Sequence, residues 1–556
     1  MRIHGERYIW QHDEPERATV ETVMKAAPSP ILAGVLASRG ITTVDAAEAF
    51  LDPGSRRLPD PRLLPDAEAA LRRIRQALVS REQICVHGHD DADGVTATTI
   101  LTEALAQLGA EALTYVPDRR TEGHGLNRNE IDRLREQGVR LIVTVDSCVS
   151  NVQEIEYARS RGIDVIVTDH HEIPKELPPA VAIINAKLEG ARYPYALMAG
   201  AGVSLQFSVL LVEELGGTFS GLPAAPAWYG PGWTDEAFAV ATIGTIADKV
   251  PLTGDNRSIV AEGLRAMAGS SRAGLRAMLD DAGLTGKDIG VGDVRESIAP
   301  LFGRVSDGQG GNPALDLLLE EDPDRALILT ASLRASRDEW RRKAQDAWRQ
   351  ASRTLATVSD SPVVVTQVEA PVEVLGYVTS RLSDESGRPT FVLSQTANGF
   401  MAEARSPEGF DLVSALRSMD GLFEGYGGHP RAAGFTIRPD RVEAFREGLS
   451  QYAEENPPER PPRRFDGVVP LADATPELAH ELDRMAPFGQ GHWPAALHAA
   501  DVTGKDVDEA RERGVRFATP PPVSKSPVGL IYRLRESGGV ASLSVVDTVP
   551  SETGSH

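Results

Sequence analysis

The chain has 556 residues, 41% hydrophobic and 25% charged, with a formal net charge of −22. That length exceeds one hydrophobic core and calls for about three or four domains, and the overall charge repels polyanions, so any nucleic-acid site has to be local. No stretch approaches the ~18 apolar residues of a membrane span, and the amino terminus lacks the apolar core of a signal peptide. Two cysteines, Cys85 and Cys148, give neither a disulfide framework nor a zinc spacing. The expectation is a cytoplasmic protein with no membrane partner.

In chain order, residues 1–55 are predicted as a helical segment. From "QICVHG" onward, short runs rich in valine, isoleucine and leucine alternate with amphipathic helices: "QICVHG", "EALTYVPD", "RLIVTVDS", "DVIVTDHH" and "AVAIINA" read as strands. "GVTATTILTEALAQLG", "RNEIDRLREQG" and "NVQEIEYARSRG" read as the helices between them. Near-continuous apolar strands separated by single helices imply βαβ units and a buried parallel sheet, an α/β catalytic domain over 56–330. A connecting helix follows at 331–358, in which "RASRDEWRRKAQDAWRQASR" sets Trp340 and Trp348 among arginines. Such a stripe suits phosphates and stacked bases, or equally a solvated helix whose tryptophans pack on a domain. A smaller α/β domain is predicted over 359–456, starting at "SPVVVTQV", and the glycines of "GYGGHPRAAG" let backbone N–H groups approach a phosphate. After the proline-rich "ENPPERPPRR", residues 463–550 read as an OB-like β-barrel. A barrel of that kind is a common single-strand-binding module.

Acids and imidazoles gather at the strand ends. His87, His89, Asp91 and Asp93 follow the first strand, Asp146 ends the third, and Asp169, His170 and His171 end the fourth. Ligands of an open parallel sheet sit beyond the carboxyl ends of its strands. Converging like charges repel unless a cation neutralises them, and carboxylates with imidazoles suit Mn²⁺ or Mg²⁺ better than a thiolate-rich zinc site does. A lone DADG reads as readily as a turn and helix cap; three such clusters at strand ends favour a metal centre. Two ions sharing a carboxylate form a device for in-line attack of water on phosphorus.

"HGHDDADG", "TVD", "TDHH" and "IGTIADKVPL" resemble the successive motifs of the DHH phosphoesterase superfamily, and in particular its RecJ-type single-strand exonucleases. "ILAGVLASRGITTVDAAEAFLDP" is similar to the amino-terminal segment of that family, "VPDRRTEGHGLN" to its arginine loop, "GYGGHPRAAGFTI" to the DHH-associated domain, and "LDRMAPFGQGHWP" to the entry of its OB-fold. The resemblance implies that Asp91, Asp93, Asp146, His170 and Asp248 hold two divalent ions, Mn²⁺ or Mg²⁺, with Asp146 bridging. It further implies that His171 faces the scissile phosphate, that Asp169 orients the two histidines, and that Arg119 stabilises developing charge. Arg381, Arg405, Gly427, Gly428 and His429 would bind substrate. Asp248 lies in an apolar, helix-like run, where an acid is costly without a cation or a hydrogen-bond partner.

The chain also departs from the family. The usual "GDYDADG" has His89 in place of its first acid and Asp90 in place of its tyrosine. His87 stands at the H-x-x-x-D-x-D spacing of the smaller DHH phosphodiesterases, so either His87 or His89 is a candidate ligand. "SIAPLFGRVSDGQGG" replaces an Arg-Ile-Asn-Ala stretch, with Arg304 as a loose substitute, and "VEAPVEVLGYVTSRL" lacks a Trp-His pair but keeps Arg381. The implied function is 5′ to 3′ exonucleolytic hydrolysis of single-stranded DNA in repair or recombination, with RNA as a further substrate and a single-strand-binding protein or a helicase as partner. A phosphodiesterase of short oligonucleotides or cyclic dinucleotides, and a non-catalytic replication or repair scaffold, are the alternatives.

Overall fold

The computed structural model describes residues 1–54, 58–123, 125–216, 233–303, 311–355, 361–397, 399–458, 461–519, 521, 527–537 and 539–550. They form two compact units: Glu16–Ala335 with Glu477–Ala495, and Met1–Pro15 with Ser336–Pro476 and the chain from Ala496 onward.

The first unit is built on the predicted parallel sheet. Its strands lie in the order Leu113–Tyr115, Gln83–His87, Val139–Val145, Asp164–Thr168 and Ala182–Ile184, all parallel. Alternate side chains leave the sheet on opposite faces. Ile84, Val86, Leu141, Val143 and Ile166 enter a core shared with the helices Ala92–Gln107, Gly200–Leu215 and Trp233–Ala247. Cys85, Ile142, Val165 and Val167 enter a second core, under the helices Arg128–Glu136 and Val152–Ser160. Both faces are thus covered, which is why these strands carry no polar alternation. The second strand in sequence lies outside the first, so the chain reverses direction between Gln83–His87 and Val139–Val145. That reversal opens a crevice at the carboxyl ends of those two strands.

In the second unit, the strands Phe423–His429, Ala432–Ile437, Gly399–Arg405, Thr390–Thr396 and Val364–Val368 form one mixed sheet, antiparallel except for the last pair. Helices Leu375–Ser386 and Val442–Glu455 belong to the same α/β domain. Another sheet joins Gly467–Val468, Leu497–Val502, Val528–Ser537, Val540–Val549 and Arg516–Phe517.

Three features differ from the sequence reading. The amino terminus begins as strands, Arg2–His4 and Ile9–Gln11, and only then turns helical at Arg17–Val23, Pro30–Ser38 and Val44–Leu51. Trp10 is buried with Phe465, Ala496 and Ile531, with Ile3 and Tyr8 packed against them. Asp547 fixes the hairpin, accepting from the backbone N–H groups of Arg7 (3.1 Å) and Tyr8 (3.0 Å) and from the Trp10 indole (2.8 Å). The connecting helix is longer, Pro323–Leu355. Its Trp340 and Trp348 pack on the Val374, Leu375, Val378 and Leu382 cluster, the packed-helix alternative rather than a bare stacking surface. Finally, residues 477–495, predicted at the entry of the OB-like segment, return to the first unit.

Candidate metal centre and active site

The crevice at the sheet reversal collects the strand-end acids. Asp91 caps the helix Ala92–Gln107 and accepts from the Gly94 N–H at 3.0 Å. Asp93, in the first turn of that helix and 2% exposed, accepts from the N–H groups of Gly200 (2.7 Å) and Ala201 (2.9 Å) at the start of Gly200–Leu215, an end that favours negative charge. Asp146 leaves its strand with φ +56°, a left-handed turn that redirects its side chain into the crevice. Asp248 follows the helix Trp233–Ala247 and keeps its N–H on the Gly244 carbonyl.

The ligand atoms converge in three triads: His89, Asp91 and Asp146; Asp93, His170 and Asp248; and Asp146, His170 and His171. Shared Asp146 and His170 chain the triads together. His170 Nε2 lies 3.0 Å from Asp146 Oδ1, 3.7 Å from Asp93 Oδ2 and 3.8 Å from Asp248 Oδ2. His89 Nδ1 lies 3.0 Å from Asp91 Oδ2 and 3.9 Å from Asp146 Oδ2. Asp169, 1% exposed, accepts from the N–H groups of His170 (2.7 Å), His171 (3.0 Å) and Val149 (3.0 Å), and holds His171 Nδ1 at 2.7 Å. One buried carboxylate therefore sets the backbone of both histidines and the ring of the second.

Charge explains what this arrangement lacks. Burial, then the charge of Asp248, raises the Asp93 carboxyl to about 7. Burial, with Asp93 and Asp91 adding to it, lifts Asp146 well above the ordinary carboxylate range, and burial also lifts Asp248. Asp91 moves down instead: burial opposes this, but the His89 hydrogen bond and charge outweigh it. Asp146 Oδ1 and His170 Nε2 are buried with no hydrogen-bond partner even though they face each other. Buried carboxylates crowded together in this way are what a divalent cation neutralises, and the oxygen and imidazole donor set fits Mn²⁺ or Mg²⁺.

His87 does not join these groups. It is 0% exposed, and its Nε2 faces Glu130 Oε1 at 2.9 Å on the far side of the sheet's first strand end. Burial would lower its pKa, but the charge of Glu130 together with the hydrogen bonds of Cys148 and Glu130 lifts it to about 10. Of the two candidates, His89 falls in one of the triads and His87 in none. Arg119 is gripped by Asp90, through Nη2 at 2.7 Å and Nε at 3.0 Å. The expected substrate residues lie in the second unit. Arg381 stacks 3.7 Å over the Trp348 ring and bonds Glu385, and Arg405 bonds Glu403 at 2.8 Å. Gly427, Gly428 and His429 occupy the exposed edge strand Phe423–His429. At Gly428, φ is +142° and a Cβ would come within 2.3 Å of the Ala432 carbonyl. Arg304 lies outside the described residues.

Sequence reasoning missed the glycines that admit the ligands. A Cβ on Gly200 would lie 2.6 Å from both Cβ and Oδ1 of Asp146; on Gly244, 2.6 Å from Asp93 Oδ1; on Gly94, 2.4 Å from the His89 Cβ. Their signal was the small-residue run "MAGAG" and the lone glycine of "TIGTI", both hidden in apolar helices.

Comparison with known proteins gives the same picture. The DHH family, N-terminal domain, matches residues 83–221 and the DHHA1 domain matches residues 360–455. The single-stranded-DNA-specific exonuclease RecJ of Dickeya dadantii is 31% identical over 497 residues, covering 85% of this chain and 84% of the relative. RecJ of Bacillus subtilis is 32% identical over 491 residues, 86% of this chain. The chain spans 60% of the length of that relative and 64% of RecJ from Thermus thermophilus. The crystal structure of Thermus thermophilus RecJ in complex with Mn²⁺ superposes with a TM-score of 0.77 at 28% identity, over 98% of this chain and 80% of the other. Its complex with Mg²⁺ gives 0.73 at 26% identity, over 98% and 78%.

Proposed function

The chain belongs to the RecJ family of single-stranded-DNA-specific exonucleases, and on that premise we propose that it hydrolyses single-stranded DNA from an end, 5′ to 3′, with two divalent ions, Mn²⁺ or Mg²⁺. The observation that carries this reading is the pair of triads flanking Asp146: His89, Asp91 and Asp146 for one ion, Asp93, His170 and Asp248 for the other. Asp146 belongs to the first and lies 3.0 Å from His170 of the second, so it would be the carboxylate the two ions share.

Such ions acidify a water for in-line attack at phosphorus and neutralise charge on the phosphoryl oxygens. The protein supplies the rest. The Asp169 hydrogen bond raises the His171 pKa and so favours the protonated ring, whose Nε2–H would donate to a phosphoryl oxygen. Asp90 holds the Arg119 guanidinium in one orientation, which spares the ordering cost at the moment of reaction. Arg381, Arg405, Gly427, Gly428 and His429 contact the strand beyond the scissile bond, by charge and by close backbone approach. RNA is a secondary substrate, and a single-strand-binding protein or a helicase is the partner that delivers the strand. Two free, buried cysteines suit the cytoplasm, and among the described residues no helix is long and apolar enough to cross a membrane.

The test is digestion of a long single strand labelled at its 5′ or its 3′ end, beside a duplex and a dinucleotide, with Mn²⁺ and with EDTA. Mn²⁺-dependent mononucleotide release from the 5′ end of the single strand is expected, and Asp146→Ala abolishes it. Preference for the dinucleotide, or activity surviving in EDTA, overturns the reading.

A further inference from the structure

Asp248 stands at the mouth of the crevice, on a loop that must turn sharply to present it: Lys249, the next residue, has φ +62°. The loop 248–253 is held from two sides. From its own helix, the buried Asn256 amide donates to the Pro251 carbonyl (3.0 Å) and to the Leu197 carbonyl (2.6 Å), just ahead of the Gly200 helix start that binds Asp93. From far along the chain come residues 485–492, part of the segment that returns to this unit. The Leu252 N–H donates to the Gln490 carbonyl at 2.8 Å. Gly489 packs so tightly on Leu252, itself 2% exposed, that a Cβ would lie 2.4 Å from Leu252 Cδ1, and Gly491 lies against Pro251.

Arg257 locks this returning turn. It is 3% exposed and donates to the carbonyls of Met485 (2.7 Å), Ala486 (2.9 Å) and Pro487 (3.3 Å), and to that of Phe50 (2.8 Å), whose ring lies 4.3 Å below the guanidinium. His492 closes the turn, with Nε2 2.8 Å from the Met485 carbonyl and its ring stacked on Phe488. A buried arginine that gathers four carbonyls costs desolvation that only a demand for fixed geometry offsets.

We propose that residues 485–492 are a brace for Asp248, with Arg257 and Gly489 as positioning residues, so that the carboxy-terminal part of the chain completes the metal centre as well as gripping DNA. The proposal rests on the two-ion reading above. It is tested on the full chain by calorimetric titration with Mn²⁺ alone, well below the thermal midpoint, for wild type, Gly489→Val, Arg257→Met and Asp248→Asn. Gly489→Val and Arg257→Met are expected to weaken one of the two Mn²⁺ events about ten-fold or more, as loss of a ligand's supporting partners does. The same event is lost in Asp248→Asn, and cleavage of a trinucleotide by the brace variants recovers as Mn²⁺ is raised. Should Arg257→Met not fold, Gly489→Val decides. Wild-type Mn²⁺ affinity in the brace variants, with the event lost in Asp248→Asn, overturns the brace alone. Unchanged binding in Asp248→Asn overturns the site assignment beneath it.

Discussion

Gly200→Ala tests the centre without altering a single ligand. The added Cβ would sit 2.6 Å from the Asp146 Cβ, whereas non-bonded carbons settle at about 3.5–4.0 Å, so about 1 Å must be found. Asp146 has little room to yield, because its φ of +56° already holds it in a narrow well. The helix start has little more, because the Gly200 and Ala201 N–H groups grip Asp93. Relieving the clash therefore parts Asp146 from Asp93. Overpacking of this kind costs about 1–3 kcal/mol of stability, and a displacement of ~1 Å at a reacting centre costs about 10²-fold in rate. The assay is the single-turnover rate on an end-labelled strand at saturating Mn²⁺, read beside the thermal midpoint. Gly202→Ala is the control: on the same helix, its Cβ meets nothing nearer than Ile259 Cδ1 at 3.3 Å. A Gly200→Ala rate equal to that of Gly202→Ala would refute the reasoning.

The acid cluster links pH to metal: with Asp93 raised to about 7 from an ordinary ~3.9, the metal-free fold holds a proton that the unfolded chain has lost. This contribution to stability is present at low pH and is lost as pH rises through about 4 to 7. Mn²⁺ replaces the proton, so its stabilisation in thermal melts should grow from about pH 5.5 to about pH 8, and a pH-independent increment would contradict the cluster's electrostatics. His87→Ala strips the partner from buried Glu130 and is expected to cost about 3–5 kcal/mol while leaving Mn²⁺ affinity intact. His89→Ala should do the reverse, and His89→Asp, which supplies an oxygen ligand in its place, should keep activity; loss of Mn²⁺ affinity in folded His87→Ala would reopen the ligand question. A chain ending before Pro461 lacks the brace and should fail on short oligonucleotides as well as long strands, in oligonucleotide-length assays of the purified fragment; retained short-substrate cleavage would restore a purely gripping role to the segment.

The parallel sheet was legible because burial on both faces writes continuous apolar strands, and Asp91, Asp93, Asp146, Asp169 and His170 were legible because strand ends are where such a sheet binds. What could not be read depends on residues distant in sequence. Weighing His87 against His89 required knowing that Glu130, on the helix Arg128–Glu136, lies 2.9 Å from His87. The amino-terminal strands were missed because a three-residue strand such as Ile9–Gln11 has too little periodicity to register and is fixed by Asp547, near the other end of the chain. The return of residues 477–495 to the first unit is invisible locally, since Arg257 and the Met485, Ala486 and Pro487 carbonyls carry no pattern that pairs them. Beyond its small-residue run, Gly200 carries no sequence signal of its own, because the atoms that crowd it belong to Asp146, 54 residues earlier.

Asp547 joins the indole of Trp10 across nearly the whole chain, and this has a consequence for how the protein is made. A ribosome adding about 5–20 residues each second needs about half a minute to two minutes to reach that aspartate. Until Arg463–Arg464 is made, the strands Arg2–His4 and Ile9–Gln11 can pair only with each other, and until Asp547 is made the Trp10 indole lacks its acceptor. Trp10 thus reaches its final environment only after the 537-residue separation from Asp547 has been spanned.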